Sequence, residues 1–148
     1  MDAVTYPKQE IADYVNENFV AWRVNYNTET RLLRRFIVFW TPTLIFLDPK
    51  GNEHYRLLGF LPPDLFVIHL IYARAMIAFT SRKYEQSAEL FETIANDYPH
   101  SEEAPQAVYF RGVARYKATE DDAYLDETAS ELSERFPGSE WAMRASIW

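Results

Sequence analysis

The step Trp40-Thr41-Pro42, three scattered histidines, two acidic pairs and two serines are the residues of this 148-residue chain whose types or spacing suit chemistry. Thr41-Pro42 leads directly into the β-branched and aromatic run Thr43-Leu44-Ile45-Phe46-Leu47, and then into Asp48-Pro49-Lys50-Gly51. Proline removes a backbone donor and restricts the residue before it. The pair therefore has two readings, a plain strand start or a cis X-Pro turn, which costs only about 0.5–1 kcal/mol; the cis turn is the expectation. His54, His69 and His100 stand apart from one another, and without a paired histidine or any cysteine they lack metal-ligand spacing. They are expected to be satisfied or solvated, with no metal and no cofactor. Glu102-Glu103 and Asp121-Asp122 fall at expected helix starts, where negative charge complements the helix dipole. Ser101 and Ser139 read as helix caps, since neither lies in a Gly-x-Ser-x-Gly turn. The four glycines form no phosphate loop. Without cysteine these residues cannot form disulfides or carry out dithiol exchange, so no catalytic residue is assigned.

Those residues must be placed by an alternation of helix and strand in the first half of the chain. Pro7 fits the first turn of a helix over 7–16, with Ile11, Tyr14 and Val15 on its apolar side. Residues 19–26, Phe-Val-Ala-Trp-Arg-Val-Asn-Tyr, are rich in β-formers and predict a strand. Asn27 or Thr28 caps a short helix through Arg35 or Phe36. Residues 43–47 predict a second strand, 48–51 a turn, and 53–59 the returning strand of a hairpin.

The second half is expected to be helical. A segment over 65–82 is apolar on nearly every side, as in a helix touching neighbours on several faces. Further helices are predicted over 84–98, from a Ser101 cap to about 117, over 122–136, and from a Ser139 cap to 148. Tyr72-Ala73-Arg74-Ala75 recurs as Tyr109-Phe110-Arg111-Gly112 at a shift of 37 residues, and Tyr98-Pro99-His100-Ser101 as Phe136-Pro137-Gly138-Ser139 at a shift of 38. Paired helices with a period in the thirties are the signature of a tetratricopeptide-type array. Ala75, Ala88 and Gly112 would let helices approach closely. Tyr72, Arg74, Tyr109 and Arg111 have two readings: a groove that binds a peptide, or inter-helix packing with arginine reaching to water, which is preferred.

Charge divides unevenly. Residues 1–83 carry +2 and residues 84–148 carry −9, giving −7 in all. The acidic half disfavours nucleic acid and suits a solvated face or a basic partner. No uninterrupted apolar run approaches the ~18 residues of a membrane span. The opening Met-Asp-Ala-Val-Thr-Tyr-Pro has neither a basic nor an apolar leader region. A cytoplasmic protein with a protein or peptide partner, no nucleic acid and no membrane is the expectation, subject to any export signal lying ahead of Met1.

Taken together, the helix near 7–16, the strand 19–26, the helix near 29–35, the Thr41-Pro42 step, the turn at 48–51 and Gly59 resemble the thioredoxin family from just after its redox motif onward. The start at Met1 resembles the sequence a few residues downstream of that motif in bacterial thioredoxin-like proteins. The resemblance implies an α/β thioredoxin-like fold in part, over 1–63, followed by an all-α tetratricopeptide-like tail over 64–148, with helix 64–82 shared by both. It implies thiol–disulfide exchange with a partner protein as the parent function, redox-inactive without cysteine; the alternative is a non-enzymatic interaction module on the same scaffold. It implicates Thr41 in offering its backbone to substrate, with Trp40, Pro42 and Gly59 in the groove. It also implies that a central strand and the Cys-x-x-Cys motif precede Met1. Without that strand, unpaired sheet edges would invite strand exchange in a homodimer.

Overall fold

A computed structural model describes residues 1–148. It contains seven helices and one two-stranded sheet, and divides into two compact units, Met1–Leu70 and Ile71–Trp148.

In the first unit the turn residues set the hairpin. Strand β1 (Thr43–Leu47) pairs antiparallel with β2 (Glu53–Leu58), from Thr43 opposite Leu58 to Phe46 opposite Tyr55, and an irregularity follows before Leu47 meets Glu53. Asp48 organises the turn. One carboxylate oxygen accepts from the backbone N–H groups of Lys50 and Asn52 at 2.8 and 2.9 Å, and the other accepts from the Asn52 side chain at 2.8 Å. The His54 ring lies 3.2 Å from the same carboxylate. The Asn52 side-chain and backbone donors, joined by His54 and the Lys50 N–H, hold the Asp48 carboxyl well below the usual range. A depressed carboxyl stabilises the fold fully above its unfolded pKa and loses that contribution as pH falls. We therefore expect the Lys50 and Asn52 amide resonances to hold their native shifts through about pH 4, where an ordinary aspartate titrates, and to move only well below it. An Asp48→Asn variant that kept the same acid-dependent movement would remove the carboxylate as the cause.

The stretch predicted as a strand over 19–26 is not one. Phe19 leaves helix α1 (Gln9–Asn18) in extended backbone, φ −138° and ψ 157°, but residues 20–25 enter no ladder and end in a turn at 26–28. β-formers become a strand only when their N–H and C=O groups meet a neighbour's, and here β1 and β2 are the whole sheet. Helix α1 begins after Pro7 rather than around it, and helix α2 (Thr30–Arg35) has Glu29, not Asn27 or Thr28, at its N-cap. The Asn25 side chain accepts from the Asn27 N–H at 2.8 Å instead, making a local turn that competes with an earlier start. The core of this unit gathers Ile11, Phe46, Leu57, Phe66 and Ile68. Buried Thr5 donates its hydroxyl to the Leu61 carbonyl at 2.6 Å, tying the N-terminal turns to the start of α3 (Pro63–Thr80).

Helix α3 contributes residues to both units, and it is the one helix whose length and hydropathy would suffice for a membrane crossing. Its apolar residues include Phe66, Ile68 and Leu70 buried in the first unit and Ile71, Tyr72, Ala73 and Ala75 buried in the second. The second unit continues with α4 (Tyr84–Asp97), α5 (Ala104–Thr119), α6 (Ala123–Arg135) and α7 (Glu140–Ala145). Small residues bring these helices together: buried Ser87 of α4 donates to the Ala75 carbonyl at 3.0 Å, and bare Gly112 of α5 faces Thr128 of α6. Ala95, Val108, Leu132 and Ala145 form a core under Tyr109, Phe136, Trp141 and Trp148.

Ser139 caps α7 as predicted, accepting from the Ala142 N–H at 3.1 Å. Ser101 does not cap α5. The helix starts only at Ala104, beyond its reach, with Glu103 at the N-cap, and the Ser101 hydroxyl is buried without a hydrogen-bond partner. Asp121 takes the role that charge at the start of α6 suggested, accepting from the Ala123 N–H at 3.0 Å.

Candidate functional site

The arrival of β1 and the departure of β2 build the one place where the chemistry-bearing step and a glycine meet. The Thr41–Pro42 peptide is cis, and the Gly59 N–H donates to the Pro42 carbonyl at 2.8 Å, just beyond the Thr43–Leu58 rung. Gly59 holds φ +89°, a conformation that side-chain-bearing residues rarely adopt, and the space where a Cβ would stand is empty. The Thr43 hydroxyl donates to the Trp40 carbonyl at 2.7 Å and tightens the approach. Trp40 itself is exposed, as is Thr41. The N–H and C=O of Thr41 make no hydrogen bond within the chain. Backbone groups left open beside an exposed indole can receive an extended chain by main-chain hydrogen bonds.

The segment leading into this step is held by a residue that sequence reasoning missed. Arg56 of β2 donates to the carbonyls of Phe36 and Ile37, at 2.5 and 3.4 Å, where α2 ends. A cation at a helix C-terminus also complements the dipole. Glu53 brackets the same guanidinium at 2.7 Å through both carboxylate oxygens, which lowers the Glu53 carboxyl and raises the Arg56 guanidinium from their ordinary values. Ile37 has φ +51°, an outlying value for a β-branched residue, and is exposed. An open groove of about 520 Å³ lies between Tyr26, Leu33, Arg34, Ile37, Val38 and Phe39. The only legible signal for Arg56 was its place on a strand beside Glu53, which does not reveal a contact twenty residues away.

Trp40, Thr41, Pro42 and Gly59 thus lie together. The four helical candidates do not form an open groove. Tyr72 is 3% exposed and packs edge-on against Phe91 at 5.3 Å. Arg111 is 6% exposed, paired to Glu131 and to Glu92. Tyr109 stacks on Trp148 at 4.7 Å and packs tilted against Trp141 at 5.1 Å, and Arg74 is half-buried on α3. The burial of Tyr72 and Arg111 accords with the preferred packing reading rather than the groove, because an aromatic or arginine at small-residue helix crossings is covered by the next helix. His69 is likewise engaged, its ring nitrogen 2.9 Å from the Tyr55 hydroxyl. No group of three His, Asp or Glu side chains is placed to hold a metal ion.

The sequence pattern of the thioredoxin-like domain family matches residues 1–74, half of the chain, and so takes in the Trp40–Pro42 step, the hairpin and Gly59. No curated protein and no solved structure matches.

Proposed function

Because residues 1–74 make this chain a member of the thioredoxin-like domain family, we propose that its first unit is a thioredoxin-type scaffold that holds an extended polypeptide along Trp40, Thr41, Pro42 and Gly59. The observation that carries this reading is the Thr41 backbone, left open beside exposed Trp40 while Gly59 closes on Pro42. Thiol–disulfide exchange is the parent chemistry we assign to the scaffold. These residues hold no thiolate, so they bind and position a polypeptide without exchanging its disulfides. The helices from residue 71 onward are, on this reading, a tetratricopeptide-like tail that helps to choose the partner, a role supported by the recurrences at 37 and 38 residues.

A titration with carboxymethylated insulin B chain, an extended polypeptide without free thiols, tests the scaffold. We expect shifts in the Trp40, Thr41 and Gly59 amide resonances and about tenfold weaker binding for Trp40→Ala, as for an aromatic anchor at an interface. Reduction of intact insulin should stay at the uncatalysed rate. Binding that left these amides unmoved, or that survived Trp40→Ala at full strength, would sink the assignment of the lip. The non-enzymatic interaction module is the second reading; the same binding with no exchange after a Cys-x-x-Cys segment is joined ahead of Met1 would favour it.

A further inference from the structure

Helix α2 ends in a turn that glycine normally makes. The Ile37 N–H donates to the Arg34 carbonyl at 3.3 Å and the Val38 N–H to the Leu33 carbonyl at 2.9 Å, the two bonds of a Schellman motif with Phe36 at the C-cap. The residue after the C-cap of such a motif is left-handed, and it is usually glycine because a Cβ there crowds the following carbonyl. Here it is Ile37, β-branched and at φ +51°. A strained residue of this kind persists only where its surroundings over-determine it.

Arg56 of β2 supplies the hold. Its guanidinium donates to the Phe36 carbonyl at 2.5 Å and, over a longer distance, to the Ile37 carbonyl at 3.4 Å. Those carbonyls belong to the peptide planes on either side of Ile37, so one rigid planar group that engages both fixes the two dihedrals of that residue. Glu53 aims the guanidinium, its two carboxylate oxygens accepting from Nε and Nη2 at 2.7 Å each in a bidentate pair. A second arginine anchors α2 itself to the same hairpin, Arg35 donating to the Gly51 carbonyl at 3.1 Å. With α2 tied to the turn and Ile37 tied to β2, the hairpin sets the direction in which residues 38–42 leave the helix.

We propose that Arg56 is the positioning residue of the lip: by pinning both peptide planes around Ile37 it sets the left-handed turn that aims Trp40 and Thr41 at an extended polypeptide. This role rests on Trp40, Thr41, Pro42 and Gly59 being the lip. Lysine cannot replace Arg56, since an ammonium is a point donor without a fork. Ile37→Gly removes the need for the fork, because glycine takes positive φ without strain.

Amide NMR of the free protein tests the turn. A left-handed residue gives a strong intraresidue HN–Hα cross-peak, and Ile37 should show one in the wild type. In Arg56→Lys that cross-peak should weaken and the Trp40 and Thr41 amides should shift, while Leu44 and Leu57, paired in the ladder, keep their shifts. Binding of carboxymethylated insulin B chain should fall about tenfold in this variant. The double variant Arg56→Lys/Ile37→Gly should recover both the Trp40 and Thr41 shifts and the binding, a rescue that a mere loss of packing around Arg56 would not show. A cross-peak and lip shifts unmoved by Arg56→Lys, or a loss of binding that Ile37→Gly does not restore, would overturn the proposal. If the wild type does not bind the B chain, the lip reading falls, and the free-protein resonances with their rescue still decide whether Arg56 sets the turn.

Discussion

Gly112→Ala is expected to destabilise the helical unit by about 2 kcal/mol or more and to lower its thermal midpoint on the order of 10 °C. Alanine is the better helix former by roughly 1 kcal/mol, so local propensity alone predicts the opposite sign. Packing decides against it. A Cβ at this position would stand 1.9 Å from the Thr128 hydroxyl oxygen and 2.7 and 2.8 Å from its Cβ and Cγ2. Thr128 has nowhere to go: it is 3% exposed, and its hydroxyl donates to the Tyr124 carbonyl at 2.7 Å. Because the obstacle includes a Cβ, trimming the hydroxyl does not clear it. The double variant Gly112→Ala/Thr128→Gly should therefore be more stable than Gly112→Ala, even though glycine in α6 carries its own cost of roughly 1 kcal/mol. Thermal unfolding of the two variants by circular dichroism checks both the sign and the coupling. Equal midpoints for wild type and Gly112→Ala would mean that α5 and α6 do not meet at this residue.

Arg111→Ala should cost about 3 kcal/mol. Arg111 lies at the meeting of three helices, its guanidinium paired with Glu131 of α6 and 3.6 Å from Glu92 of α4. Arg115 shares Glu92, and Arg135 shares Glu131 while also donating to the Ala95 carbonyl at 2.9 Å. Removing one member of a buried pair typically costs about 3–5 kcal/mol. The lower end applies because Glu92 and Glu131 retain contact with water and keep their other arginines. Arg111→Met preserves the packing of the stem and removes the charge with its one unpartnered nitrogen, Nε. Like Arg111→Ala it removes one member of the pairs and leaves Glu131 and Glu92 behind, so it should recover only the part of the loss that comes from the volume of the stem. Denaturant unfolding separates the two outcomes; equal losses in both variants would place the stability in the ion pairs rather than in the volume.

The hairpin, the helices and the Trp40–Pro42 step were legible in the sequence. Residues 43–47 became β1 with the same limits, and Pro49 and Gly51 marked its turn, because turn chemistry is local. That Gly59 comes to Pro42 was anticipated through the resemblance, since spacing alone does not supply that contact. What was missed depended on distant partners. Residues 19–26 had the composition of a strand but no ladder, Ser101 had the type of a cap but a helix that begins too late, and Arg56 reaches the end of α2 from another element. Tyr72 and Arg111 were open to both groove and packing readings until their burial was known, since a recurring Tyr-x-Arg says where residues repeat and not which face is covered.

By itself the sequence determined the hairpin at 43–58 and the run of helices that follows it, that these residues contain no thiol chemistry, and that small residues recur where helices cross. Those properties follow from side-chain type, backbone preference and period, all of which act within a few residues along the chain. Only the tertiary structure decided that Gly59 closes on Pro42, that Arg111 is an internal ion partner, and that Val20 and Trp22 stand in solvent. Each of these rests on a group supplied, or withheld, by a remote part of the chain. A hydrogen bond or buried surface exists only when both sides are brought together, and the sequence writes down one side at a time.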